Sequence, residues 1–78
     1  MFKVYVRVYA EFTEDGNIIP KSFIWKDRHG YEIDSILDVR PAASLKAGGN
    51  GIRYTVKVKG KQTYMWLEDG KQWFMEEK

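Results

Sequence analysis

His29 is the single histidine of this chain, and cysteine is absent. These two facts remove thiol catalysis, disulfides and thiolate metal sites, and leave carboxylates as the main ligands for any metal. His29 stands between Arg28 and Gly30 in a turn-forming stretch, where an imidazole facing solvent is the expected state. Ser22, Ser35 and Ser44 lack the strand-turn-helix context of an activated nucleophile. Gly48-Gly49-Asn50-Gly51 is followed by neither Lys-Ser/Thr nor a helix pattern, so the phosphate-cradling fingerprint fails. Glu32, Asp34 and Asp38 share a strand face by parity, and carboxylates so placed can move protons or hold a divalent cation. A solvated sheet face, with Lys26 set across from Glu32, explains them more simply. We therefore expect no enzyme, with no catalytic, cofactor or metal site.

Rings beside cations are the better candidate. The turn chemistry described below places Tyr64, Trp66, Trp73 and Met75 on one sheet face, with Arg53, Lys57 and Lys59 at its margin. Such a face suits three uses. It can be covered by the chain itself, it can contact another protein or a second copy, or it can stack single-stranded nucleic acid bases while cations meet phosphates. The arrangement depends on register: a one-residue slip in the last hairpin sends Trp73 inward and Phe74 out.

Those side chains need strands to hold them. Phe2 to Phe12 alternates without a break, with Phe2, Val4, Val6, Val8, Ala10 and Phe12 on one face and Lys3, Tyr5, Arg7, Tyr9 and Glu11 on the other. This is a half-buried antiparallel strand. Asp15-Gly16 predicts a two-residue turn that sets Val8 opposite Phe23, Val6 opposite Trp25, and Pro20 on the outer side facing Glu11, as on an edge strand or at a bulge. Arg28-His29-Gly30 predicts a three-residue turn with Gly30 left-handed, pairing Trp25 with Ile33, and the third strand then runs from Tyr31 to Arg40. A second meander starts near Ile52. Gly60-Lys61 sets Val56 opposite Met65 and Tyr54 opposite Leu67, and Asp69-Gly70 sets Met65 opposite Phe74 and Trp66 opposite Trp73. The fold class is all-β: six antiparallel strands, as two three-stranded meanders, in a small barrel or roll, with an SH3-like plan as the candidate architecture. Its expected core is Val4, Val6, Val8, Phe23, Trp25, Ile33, Tyr54, Val56, Met65, Leu67 and Phe74. The Ala/Gly-rich stretch 41–51 joins the meanders, with one short helical turn expected near Ala42 to Ala47.

At 78 residues, the chain is one domain, and its core must be built from large side chains. Three Trp, five Tyr and four Phe supply them, each able to bury roughly 150–250 Å². The net charge is +2 but uneven: seven acids lie between Glu11 and Asp38, whereas Val39 to Lys61 carries six cations and no acid. Folding that brings the halves together would intermix these charges. No apolar run approaches the ~20 residues of a membrane span, and the start does not read as a signal peptide. A cytoplasmic protein that makes no membrane contact is expected.

The run Pro20-x-x-Phe23-x-Trp25-x-x-Arg28-x-x-Tyr31-x-Ile33-x-x-Ile36-Leu37-Asp38, with the later Arg53-Tyr54-Thr55-Val56 and Trp73-Phe74, resembles a family of small bacterial β-proteins of unknown function. Some of its members are encoded near error-prone DNA polymerases, which implies a link to nucleic-acid metabolism. The long first strand and the Ala/Gly loop depart from that family's pattern. The resemblance implies a small β-barrel and no catalytic residue.

Overall fold

The computed structural model describes residues 2–42 and 51–77. Within them the chain forms β1 (Phe2–Phe12), β2 (Ile18–Ile24), β3 (Gly30–Glu32), β4 (Ser35–Pro41), β5 (Gly51–Val58), β6 (Lys61–Glu68) and β7 (Gln72–Glu77). All seven join one antiparallel sheet in the order β3-β2-β1-β7-β6-β5-β4. The all-β class stands as expected; the six-strand count and the division into two separate meanders do not. The predicted helical turn near Ala42 to Ala47 lies largely outside the described residues.

β1 behaves as its alternation requires. Val4, Val6, Val8 and Ala10 are half-buried, and every odd-numbered residue between them is exposed. Val8 does pair with Phe23, by a route that differs from the expected one. Thr13 N–H donates to the Asn17 carbonyl and Gly16 N–H to the Thr13 carbonyl. The turn therefore holds three residues, Glu14, Asp15 and Gly16, with Gly16 at φ +88°. The extra residue shifts Phe12 onto Ile18, and the ladder then shifts back between Tyr9 and Ala10, where Lys21 is left without a partner. Pro20 sits beside this bulge opposite Ala10, and its side chain is buried rather than outward-facing. A bulge is where a residue with no N–H is tolerated inside a sheet.

The second turn forms earlier than the glycine suggested. Trp25 N–H donates to the His29 carbonyl and Arg28 N–H to the Trp25 carbonyl. Arg28, not Gly30, takes the left-handed conformation, at φ 71°. Asp27 explains the choice, because its carboxylate accepts the His29 N–H at 2.9 Å and stabilises the turn locally. Phe23 then faces Tyr31 instead of Trp25 facing Ile33. β3 ends after three residues. Ile33 N–H still donates to Lys21 of β2, but Asp34 N–H donates to Lys57 of β5. The expected single strand from Tyr31 to Arg40 is thus two strands, and they lie on opposite edges of the sheet.

In the second half the turns again decide the pairing. Lys59 (φ 51°) and Gly60 (φ 77°) are both left-handed, so the two-residue turn is Lys59-Gly60 and Val58 pairs with Lys61. Tyr54 therefore faces Met65 and Val56 faces Thr63, a shift of two that leaves every side chain on its expected face. The last turn spans Asp69, Gly70 and Lys71, with Trp66 opposite Phe74 and Leu67 opposite Trp73. This shift of one reverses β7. Trp73 and Met75 enter the core, and Phe74 leaves it.

The main core is Phe23, Tyr54, Val56, Met65, Leu67, Trp73 and Met75, flanked by half-buried Val6, Val8, Trp25, Ile33 and Ile36. The Tyr54 hydroxyl donates to the Ile18 carbonyl at 2.6 Å. β5 and β2 stand four positions apart in the sheet, a separation of roughly 19 Å if it were flat, at ~4.8 Å per strand. The bond therefore requires a strongly curled sheet, an open half-barrel with the core in its concavity. Gly51 marks a second close approach, since a Cβ there would lie 2.6 Å from the Ala42 carbonyl oxygen.

Two substitutions weigh these contacts. Met65→Ala should cost about 2–5 kcal/mol, as expected for emptying a fully buried site. Tyr54→Phe, which removes only the bond across the curl, should cost about 1 kcal/mol. Urea unfolding curves measure both. A loss for Tyr54→Phe as large as that for Met65→Ala would mean that the hydroxyl does more than close the curl.

Candidate binding surface

The side of the sheet away from the core carries a second layer of side chains. Odd-numbered residues of β1, Arg53, Thr55 and Lys57 of β5, Tyr64, Trp66 and Glu68 of β6, and Phe74 of β7 share it by strand parity. The rings form a row across three strands. Tyr5 meets Phe74 edge-on with centroids 5.9 Å apart, and Phe74 stacks on Trp66 at 5.2 Å with planes only 4° apart. Trp66 meets Tyr64 at 5.8 Å. Each such pair contributes about 0.5–1.5 kcal/mol beyond its burial.

Cations close both ends of the row. The Arg53 guanidinium lies 4.8 Å from the Tyr64 ring centre, and the Lys3 ammonium 4.4 Å from that of Phe74. Lys3 also donates to one Glu68 oxygen at 3.0 Å, while the Tyr5 hydroxyl donates to the other at 2.9 Å. Glu68 and Lys3 belong to strands on either side of β7, so their bridge passes over Phe74. That bridge explains why Phe74 is only 5% exposed on a face without a second sheet. Tyr64 and Tyr5 remain 40% and 50% exposed.

Of the seven residues expected at this surface, the structure brings three together: Arg53, Tyr64 and Trp66. Arg53 faces Trp66, not Glu68, and Thr55 faces Tyr64. Lys57 keeps the expected face but pairs with Gln62 rather than Tyr64. Lys59 occupies the turn, with its ammonium 5.2 Å from the Tyr31 ring centre, away from the row. Trp73 and Met75 belong to the core, for the register reason given above. Tyr5, Lys3, Phe74 and Glu68 are the members that sequence reasoning missed. The Tyr5, Arg7, Tyr9 alternation hinted at an outer ring surface on β1, but the β1–β7 pairing that completes it spans nearly the whole chain.

The candidate acids do not converge. Glu32 of β3 pairs with Ser22 of β2, Asp34 accepts the Gly60 N–H at 3.2 Å, and Asp38 accepts from Arg40 on β4. Their supposed common face is broken at the Ile33–Asp34 link. Lys26 pairs with Glu77, not Glu32. The exposed His29 ring lies 3.1 Å from Asp27. Among the described residues no group of three His, Asp or Glu side chains is placed to hold a metal ion, and no helix is long and apolar enough to cross a membrane.

No family model matches the chain, and neither does any curated protein or solved structure. Of the expected small β-barrel, the structure supports an all-β sheet with barrel-like curl.

The Lys3–Glu68–Tyr5 bridge leaves an electrostatic signature. The hydrogen bond from Lys3, then that from Tyr5, holds the Glu68 carboxyl below its ordinary value of 4.5, and the same bond to Glu68 raises Lys3 above 10.5. A depressed carboxyl stabilises the fold above its unfolded value, and that contribution is lost as pH falls through the folded value. The raised lysine contributes fully below 10.5 and loses its part as pH climbs through the folded value. Glu68→Gln should therefore flatten part of the acid limb of stability below pH 4.5. The component from Asp15 and Asp27 should remain, since their carboxyls are also depressed. Urea midpoints measured against pH test this, and an unchanged acid limb would remove the bridge from the account of Phe74 coverage.

Proposed function

We propose that the protein is a non-enzymatic binding module that presents its outer ring row to another protein. The reading rests on one observation: the rings are locked against each other and against Arg53 and Lys3, with Tyr64 and Tyr5 left exposed. Tyr and Trp side chains already ordered in the free protein lose little freedom on association, and with Arg they are enriched at binding hot spots. The charges favour a protein over a polyanion. Lys3 is neutralised by Glu68, Arg40 by Asp38, and Arg53 is held on Tyr64 with its Nε buried and, among the described residues, without a hydrogen-bond partner. Phosphates following this face would meet mainly Arg7 and Lys57. An SH3-like plan for the curled sheet belongs to the same proposal, as one small-barrel architecture that hosts many unrelated functions.

A photoreactive amino acid at position 64 tests the reading, with one at position 32, away from the row, as control. We expect a discrete protein adduct from position 64 in native extract, none from position 32, and its loss when Arg53→Ala is added. No adduct, or equal adducts from both positions, would overturn the proposal. The nucleic-acid alternative has its own readout. Labelled single-stranded DNA should show no binding that weakens steeply with salt. Salt-steep binding lost on Trp66→Ala would replace the protein reading with it.

A further inference from the structure

β1 has an open edge. β7 pairs with it only from Phe2 to Val6, leaving residues 7–12, among the described residues, with a strand neighbour on the β2 side alone. Beside this free half lies a notch of about 600 Å³, lined by both faces of β1 together with Lys71, Gln72 and Trp73. The direction of the main-chain groups follows from two observations. Thr13 N–H points to Asn17 on the β2 side, so odd-numbered residues of β1 bond to β2. Pro20, which has no N–H, stands opposite Ala10, as the same alternation allows. The N–H and C=O groups of Val8, Ala10 and Phe12 therefore face the notch.

The outer edges of the sheet are blunted. β3 is three residues long, and β4 carries a register shift between Ile36 and Asp38 and ends in Pro41. Short strands, irregular pairing and proline are the usual protections against strand addition. The free half of β1 is neither short nor closed by proline, and the register shift it shares with β2 places the extra residue, Lys21, on β2 and leaves β1 itself regular. Phe12 there is 73% exposed.

We propose that this edge pairs antiparallel with the same edge of a second copy, about a two-fold axis at Ala10. In that register Ala10 meets Ala10, Val8 meets Phe12, and Tyr9 meets Glu11 of the second copy. Both residues of each hydrogen-bonded pair are ones whose main chain faces the notch, as antiparallel pairing demands. Exposed Phe12 gains an apolar partner in Val8, and no like charges fall opposite each other. The acidic turn carrying Glu14 and Asp15 comes up against Lys71, which lines the notch, so the charges at the two ends of the pairing are complementary. Five paired residues cover less than a standard interface of ~1,200–2,000 Å², and the dimer is accordingly weak and concentration-dependent. This interface lies at a different place from the ring row, and each can fail without the other.

Sedimentation equilibrium over a wide concentration series decides it. Wild type should pass from one chain to two as concentration rises. Ala10→Pro removes only an N–H directed at the notch and should hold the protein at one chain, with its circular dichroism unchanged. Should that variant fail to fold, a charge exchange decides instead: Glu14→Lys should weaken pairing several-fold, and Glu14→Lys with Lys71→Glu should restore it. Tyr64→Ala should leave the dimer intact. A single-chain mass for wild type throughout, pairing indifferent to both Ala10→Pro and the charge exchange, or pairing abolished by Tyr64→Ala would overturn the proposal.

Discussion

Ile33 and Asp34 connect a strand at one edge of the sheet to a strand at the other. Two linking residues reach only about 10 Å between Glu32 and Ser35, whereas seven strands laid flat would set the edges nearly three times as far apart. The sheet must curl to let the chain make that crossing. The curl gives the structure an inside. Ile33 bonds to β2 and Asp34 to β5, so the crossing is fastened on both sides, and Tyr54 repeats the fastening deeper in the concavity. The core residues gather where they do because strands distant in sheet order are forced into proximity.

Curl also explains the division of labour between the faces. The concave side brings side chains from β2, β5, β6 and β7 together, and there Met65, Leu67 and Val56 are completely enclosed. On the other side neighbours diverge, so burial has to come from adjacent strands alone. Phe74 achieves it through Trp66 beneath one flank and the Lys3–Glu68 bridge across the other. The result is a shallow layer of rings whose packing depends on side chains reaching over a strand, a different mechanism from the hydrophobic enclosure opposite. Removing a charge from that layer exposes a ring, which couples its electrostatics to its shape.

How far the sequence could be read follows from parity. Alternation in Phe2–Phe12 and in Ile52–Val58 identifies which residues share a face, and those faces are right for β1, β5 and β6. Turn length is where the reading fails, because Asp-Gly serves both two-residue and three-residue turns. In the first hairpin a three-residue turn is offset by the bulge at Lys21, and Val8 still meets Phe23. In the second, Asp27 organises the turn before Gly30 can. Between β5 and β6 the slip is two residues, so identities across the ladder change while faces do not. Between β6 and β7 it is one, and Trp73 and Met75 exchange places with Phe74. The candidate surface was legible as Arg53, Tyr64 and Trp66 because these sit on strands where errors were even. Its other half, on β1 and β7, required a long-range pairing that no local pattern encodes.

β1 belongs to both proposed surfaces, and this has a structural consequence. Its first half, Phe2 to Val6, is paired with β7 and supplies Lys3 and Tyr5 to the ring row. Its second half runs beyond β7 and offers bare main chain. Even-numbered residues beyond Val6 direct their N–H and C=O groups sideways to the notch, while odd-numbered residues raise Arg7 and Tyr9 onto the outer face. Pairing through the edge would therefore leave that face uncovered and place two copies of it side by side, with Tyr9 near the seam. A strand that contributes side chains to one partner and main chain to another needs a strict alternation along its whole length. The unbroken period of two from Phe2 to Phe12 meets that requirement, and it serves β7 over the first half and β2 over the second.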